Sequence, residues 1–86
     1  MTKHPRFSVY DRLYGMVCEF ANRKTKAAAM KKVRELCGIN DKSYSDADIM
    51  RDNGYILLEH HTYVVPRNKT SLSELQRICG VKVIEP

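Results

Sequence analysis

At 86 residues, with 43% hydrophobic and 29% charged side chains, the chain has material for one buried core and not for two. No apolar run approaches the roughly 20 residues of a membrane-spanning helix, and the opening MTKHPRFSVYDRLYG has no apolar signal core, so a cytoplasmic location without membrane contact is expected. The net charge of +5 and a pI near 9.3 favour polyanionic partners.

Pro5 disfavours helix before it, so residues 1–7 read as an extended arm. Ser8-x-x-Asp11 matches a capping box, and Val9, Leu13, Met16, Val17 and Phe20 recur three and four apart. The spacing predicts a first helix over about Val9–Asn22, with Gly15 on its polar face. The polar break Asn22–Thr25 separates it from a second helix, about Lys26–Cys37. Thr25 is its N-cap and Gly38 its stop, with Ala29, Val33, Leu36 and Cys37 as the buried stripe. After a loop, Ser45-x-x-Asp48 opens a third helix, about Asp46–Asp52, ended by Asn53-Gly54.

Gly54–Pro66, GYILLEHHTYVVP, is the densest apolar stretch. Tyr55–Leu58 and Thr62–Val65 are rich in β-formers around a polar centre, Glu59-His60-His61. This predicts a β-hairpin with the histidine pair at a solvent-facing turn, closed by Pro66. Ser71-x-x-Glu74 opens a helix of about Leu72–Cys79, Gly80 ends it, and Val81–Ile84 reads as a last strand. The expected fold class is therefore α+β, in one domain over residues 1–86: three N-terminal helices, a hairpin, then a helix and a short strand.

Cys18, Cys37 and Cys79 are odd in number and far apart, which fits reduced thiols packed as small hydrophobes rather than a disulfide framework. No Cys or His lies at zinc-finger spacing, and no phosphate loop, nucleophile elbow or apolar carboxylate pair occurs. The expectation is a non-enzymatic protein with no metal and no cofactor.

Charge is unevenly placed. Residues 20–34 hold six basic and no acidic side chains, whereas residues 35–59 hold two basic and six acidic ones. On a helical projection Arg23, Lys24, Lys31, Lys32 and Arg34 fall opposite Ala29, Val33 and Leu36, a stripe shaped to track a phosphate backbone. Lys42, Arg67 and Lys69 would extend that surface.

Three helices followed by a hairpin resembles the element order of winged-helix DNA-binding regulators, with Val33, Cys37, Ile39, Tyr44 and Ala47 at motif-like positions. Arg34 departs from that pattern by standing where a small residue is usual. The would-be recognition helix also carries Asp41, Asp46, Asp48 and Asp52 against Lys42 and Arg51, and carboxylates repel phosphates. Separately, Gly54-Tyr55, His60-His61 and Val65-Pro66-Arg67 with the following Leu72–Gly80 helix look like the HicA-type RNA-targeting toxins. That resemblance implies a fold similar to double-stranded-RNA-binding domains, an RNA partner, and His60 or His61 as a catalytic base. The chain lacks the Gly-Ser that precedes the paired histidines there, and the resemblance spans only about residues 47–81.

The sequence thus leads to a small nucleic-acid-binding protein, with a regulatory role among the expectations, touching DNA or RNA phosphates through the Lys26–Cys37 helix. The alternative is a small inhibitor or adaptor that binds an acidic protein surface on a larger nucleic-acid-processing machine. Tyr10, Tyr14 and Tyr44 would serve that alternative if exposed, and Tyr10 and Tyr14 would equally serve to finish the core. The opposite charges of the second and third helices would also allow two copies to pair as a homodimer.

Overall fold

Alternate side chains of a strand point to opposite faces, and in this protein both faces of the central strands are covered by helices. The computed structural model describes residues 4–18, 23–40, 42–61 and 68–85. Its elements run β1 (Arg6–Asp11), β2 (Met16–Val17), α1 (Lys26–Cys37), α2 (Asp46–Asp52), β3 (Tyr55–His60), α3 (Leu72–Cys79) and β4 (Lys82–Ile84). The strands form one antiparallel sheet in the order β2-β1-β3-β4.

The β1–β3 ladder pairs Val9 with Leu57 and Ser8 with Leu58, which fixes what each face buries. Val9 and Leu57 pack with Ala29, Met30 and Val33 of α1 and with Ile49 and Met50 of α2. On the other face Tyr10 and Leu58 pack with Val17, Leu75 of α3 and Val81. The sheet therefore lies between an α1/α2 layer and an α3 layer. Burial on both sides explains why Ile56-Leu57-Leu58 is a continuous apolar run without alternation.

The helices begin where local chemistry dictates. The hydroxyls of Thr25, Ser45 and Ser71 accept the N–H groups of Ala28, Asp48 and Glu74 at 3.0, 3.1 and 3.2 Å. Each bond satisfies a donor that has no partner within its own helix. Gly38 closes α1 at φ 67°, a left-handed conformation in which a Cβ would be strained. All three helices have the bounds that their sequence signals give.

The first expected helix is overturned over the described residues 9–18, and its last part, residues 19–22 with Phe20, lies outside them. Residues 6–17 form β1, a turn and β2, so the order is β-β-α-α-β-α-β and the winged-helix order is overturned. The Ser8-x-x-Asp11 spacing serves another purpose: the Asp11 carboxylate accepts the N–H groups of Leu13 and Tyr14, folding the turn. Gly15 closes that turn at φ 67°, and its N–H donates to the Asp11 carbonyl at 2.8 Å. Leu13, expected in the core, is 81% exposed at the turn.

The long hairpin is also revised. Its first half is β3, extended to His60, and its neighbours are β1 and β4. Its second half, Thr62–Val65, together with Pro66, lies outside the described residues. Among the described residues no helix is long and apolar enough to cross a membrane.

Candidate nucleic-acid interface

Helix α1 presents three different sides. Ala29, Met30 and Val33 face the sheet, and the cations divide among the remaining directions. Lys31 is exposed on the outer side, and Lys24, exposed just before the Thr25 cap, precedes it by two turns. Lys26 is likewise exposed. No ion pair forms at Lys24, Lys26 or Lys31 among the described residues.

The other predicted contacts are placed differently. Lys32 lies on the side of α1 toward the β1–β2 hairpin and pairs with Glu35 at 3.3 Å. Arg34 points the opposite way, toward α2. Its Nε donates to Asp46 Oδ1 at 3.0 Å and a terminal nitrogen donates to the Tyr44 carbonyl at 2.8 Å. Arg34 is thus a clamp between α1 and the start of α2. This accounts for a large cation where a helix-turn-helix would need a small residue.

Arg23 is half-buried. Its backbone exchanges hydrogen bonds with Phe7 at 2.7 and 2.8 Å, extending the β1 edge toward α1. Lys42 is exposed between α1 and α2, and Lys69 is exposed next to Thr70, whose N–H donates to the Gly15 carbonyl. Arg67 lies outside the described residues. The structure therefore brings Arg23 and Lys32 together at one groove, leaves Lys24 and Lys31 exposed about two turns apart with Lys26 exposed at the helix start, and puts Lys42 and Lys69 on separate loops.

Arg23 and Lys32 meet at an open groove of about 690 Å³ between the β1–β2 hairpin and the C-terminal half of α1. One wall is Asp11, Tyr14 and Met16 from the hairpin, and the other is Lys32, Glu35 and Leu36 from the helix, with Tyr55 of β3 also lining it. Burial, and secondarily the nearby Cys18 and Cys37 thiols and the Asp11 carboxylate, pushes the Tyr55 phenol above its ordinary pKa. Burial alone pushes the Cys37 thiol up. Leu36, expected in the core, is 61% exposed at this rim, and Tyr14 is 68% exposed.

The three tyrosines weighed from sequence part company. Tyr10 is buried and its hydroxyl donates to the Thr70 carbonyl at 2.9 Å, whereas Tyr14 and Tyr44 are exposed. The groove was hidden from the sequence by the helical reading of residues 9–22. The available signal was Asp11-x-x-x-Gly15, a turn pattern between β-forming residues.

The histidine pair is split. His61 is exposed, but His60 is only 1% exposed on the α3 side of the sheet, hydrogen-bonded to the buried Ser8 hydroxyl at 2.8 Å. The expected solvent-facing turn is therefore wrong for His60. Cys18, Cys37 and Cys79 are half-buried free thiols. Among the described residues no three His, Cys, Asp or Glu side chains gather as a metal site would require.

Comparison with protein-family models, with curated proteins and with solved structures finds no match.

Proposed function

We propose that this is a small nucleic-acid-binding protein that grips the phosphate backbone with the outer side of α1. The observation that supports this best is the exposed set Lys24, Lys26 and Lys31, with no acidic partner among the described residues. Exposed cations already held by carboxylates are partly neutralised, whereas these are available to displace counterions from a polyanion. Lys32, paired with Glu35 at the groove rim, is not counted among them. The acidic α2 layer, with Asp46, Asp48 and Asp52, faces away from that role by its charge. Binding of this kind is strong at low ionic strength, falls steeply with salt and is indifferent to sequence. Charge reversal at Lys24 and Lys31 is expected to weaken binding to DNA and RNA alike. Absence of salt-sensitive binding to either at low ionic strength would refute the reading.

A second reading, a protein-binding inhibitor or adaptor, is favoured by one observation. Tyr14 and Leu36 are large, apolar or amphipathic, and exposed at the same groove, with Leu13 exposed on the adjoining turn. It becomes the better account if purified protein fails to bind nucleic acid and a nuclease-treated extract still yields one stoichiometric protein partner.

A further inference from the structure

The groove beside α1 has a chemistry unlike the helix it borders. Its two cations, Arg23 and Lys32, are matched by two carboxylates, Asp11 and Glu35, so the groove as a whole is not a site for a phosphate. Its other surfaces are flat or apolar: Tyr14 and Tyr55 offer rings, and Met16 and Leu36 offer aliphatic surface. A volume of about 690 Å³ is within the range of pockets that take small organic ligands, roughly 300–1,000 Å³. What suits such a lining is a neutral, planar ring with hydrogen-bonding edges.

The position of Tyr14 is prepared in advance. Asp11 accepts the Tyr14 N–H at 3.3 Å and the Leu13 N–H at 2.9 Å. The turn is tied from outside as well: Gly15 accepts from Thr70 at 3.0 Å, and the Arg12 N–H donates to the Gly54 carbonyl at 3.0 Å. A turn backbone held this way needs no reordering when the exposed Tyr14 ring stacks on a ligand. The ridge between groove and outer side is the helix itself: Lys31 and Lys32 are consecutive, and Glu35 lies one turn beyond Lys31. A backbone lying along Lys24 and Lys31 would therefore run beside the groove mouth.

We propose that the groove accepts an unstacked nucleobase, so that the preferred ligand is single-stranded nucleic acid, with phosphates on α1 and a base stacked against Tyr14. This inference rests on the phosphate-binding reading of α1 and adds the strandedness of the ligand. A duplex keeps its bases inside the stack and can offer only phosphates, whereas a single strand can offer both.

The test compares three fluorescent probes of one length on the full chain: a thymidine single strand, the same strand with abasic sugars, and a duplex. The thymidine strand should bind about tenfold more tightly than the abasic strand, and Tyr14→Ala should abolish that difference while leaving abasic binding unchanged. Tyr14 is exposed, so its removal opens no core, and a circular-dichroism melt checks that the variant folds. Equal binding of thymidine and abasic strands would overturn the base site and leave the phosphate reading standing. Tightest binding to the duplex would overturn it too, and no binding to any probe would overturn both.

Discussion

Ser8 and His60, 52 residues apart in sequence, share a 2.8 Å hydrogen bond across the two central strands, with both side chains buried. Strand β1 is thereby keyed to the end of β3 by a buried polar contact. A buried polar pair is costly if half of it is removed, because the remaining group keeps its desolvation and loses its partner. Ser8→Ala is expected to destabilise the fold by about 1–3 kcal/mol. For a chain of this size each kcal/mol lowers the melting temperature by about 4–8 °C, which a thermal melt resolves. His60→Ala should be at least as damaging, which the same melt measures.

Arg34 separates structural charge from binding charge. Arg34→Lys keeps the cation but cannot reproduce a forked contact to the Asp46 carboxylate and the Tyr44 carbonyl together. Both side chains are partly exposed, so solvent screening limits the loss to about 1 kcal/mol. The expected outcome is a lower denaturation midpoint with an unchanged slope of nucleic-acid affinity against salt. A flattened slope with unchanged stability would make Arg34 a phosphate contact instead.

The raised pKa of Tyr55 gives a stability effect with a definite sign. Its neutral form is favoured in the folded chain, so the associated stability is fully present below the unfolded tyrosine pKa, about 10. It is lost as pH rises through the higher folded value. Denaturant midpoints should therefore fall above about pH 10, and Tyr55→Phe should make that alkaline fall shallower.

The carboxylate of Asp48 behaves in the opposite sense. The Ser45 hydroxyl, and after it Arg51, hold its pKa below the ordinary value. Any stability it contributes is present above the unfolded pKa and is lost as pH falls through the folded one. Asp48→Asn removes that contribution at neutral pH, so its denaturant midpoint should be lower there and fall less steeply in acid, the two profiles converging at low pH.

The elements that were legible in the sequence are those whose signals are local. Thr25, Ser45 and Ser71 each bond an N–H three residues on, so the starts of α1, α2 and α3 are written within four positions. The same spacing misleads at Ser8 and Asp11. There the hydroxyl bonds His60 and the carboxylate folds a turn, because pairing with β3 makes Ser8–Asp11 a strand. That pairing is a contact between distant segments and leaves no mark in the spacing of Val9, Leu13 and Met16. The cations of α1 were legible as a set. Their division into outward Lys31, groove-facing Lys32 and clamped Arg34 depends on which elements flank the helix. For the same reason the groove itself, built from the misread hairpin, was not legible at all.

The claim that α1 holds phosphates is tested most directly by the salt dependence of binding in the Lys24→Glu, Lys31→Glu double variant. Logarithmic affinity for a single-stranded oligonucleotide, plotted against logarithmic salt concentration, has a slope set by the number of phosphates neutralised. If Lys24 and Lys31 each meet a phosphate, the variant's slope should be shallower by about two contacts' worth, with weaker binding to every sequence tried. A variant with the slope and affinity of the unaltered protein would contradict the account.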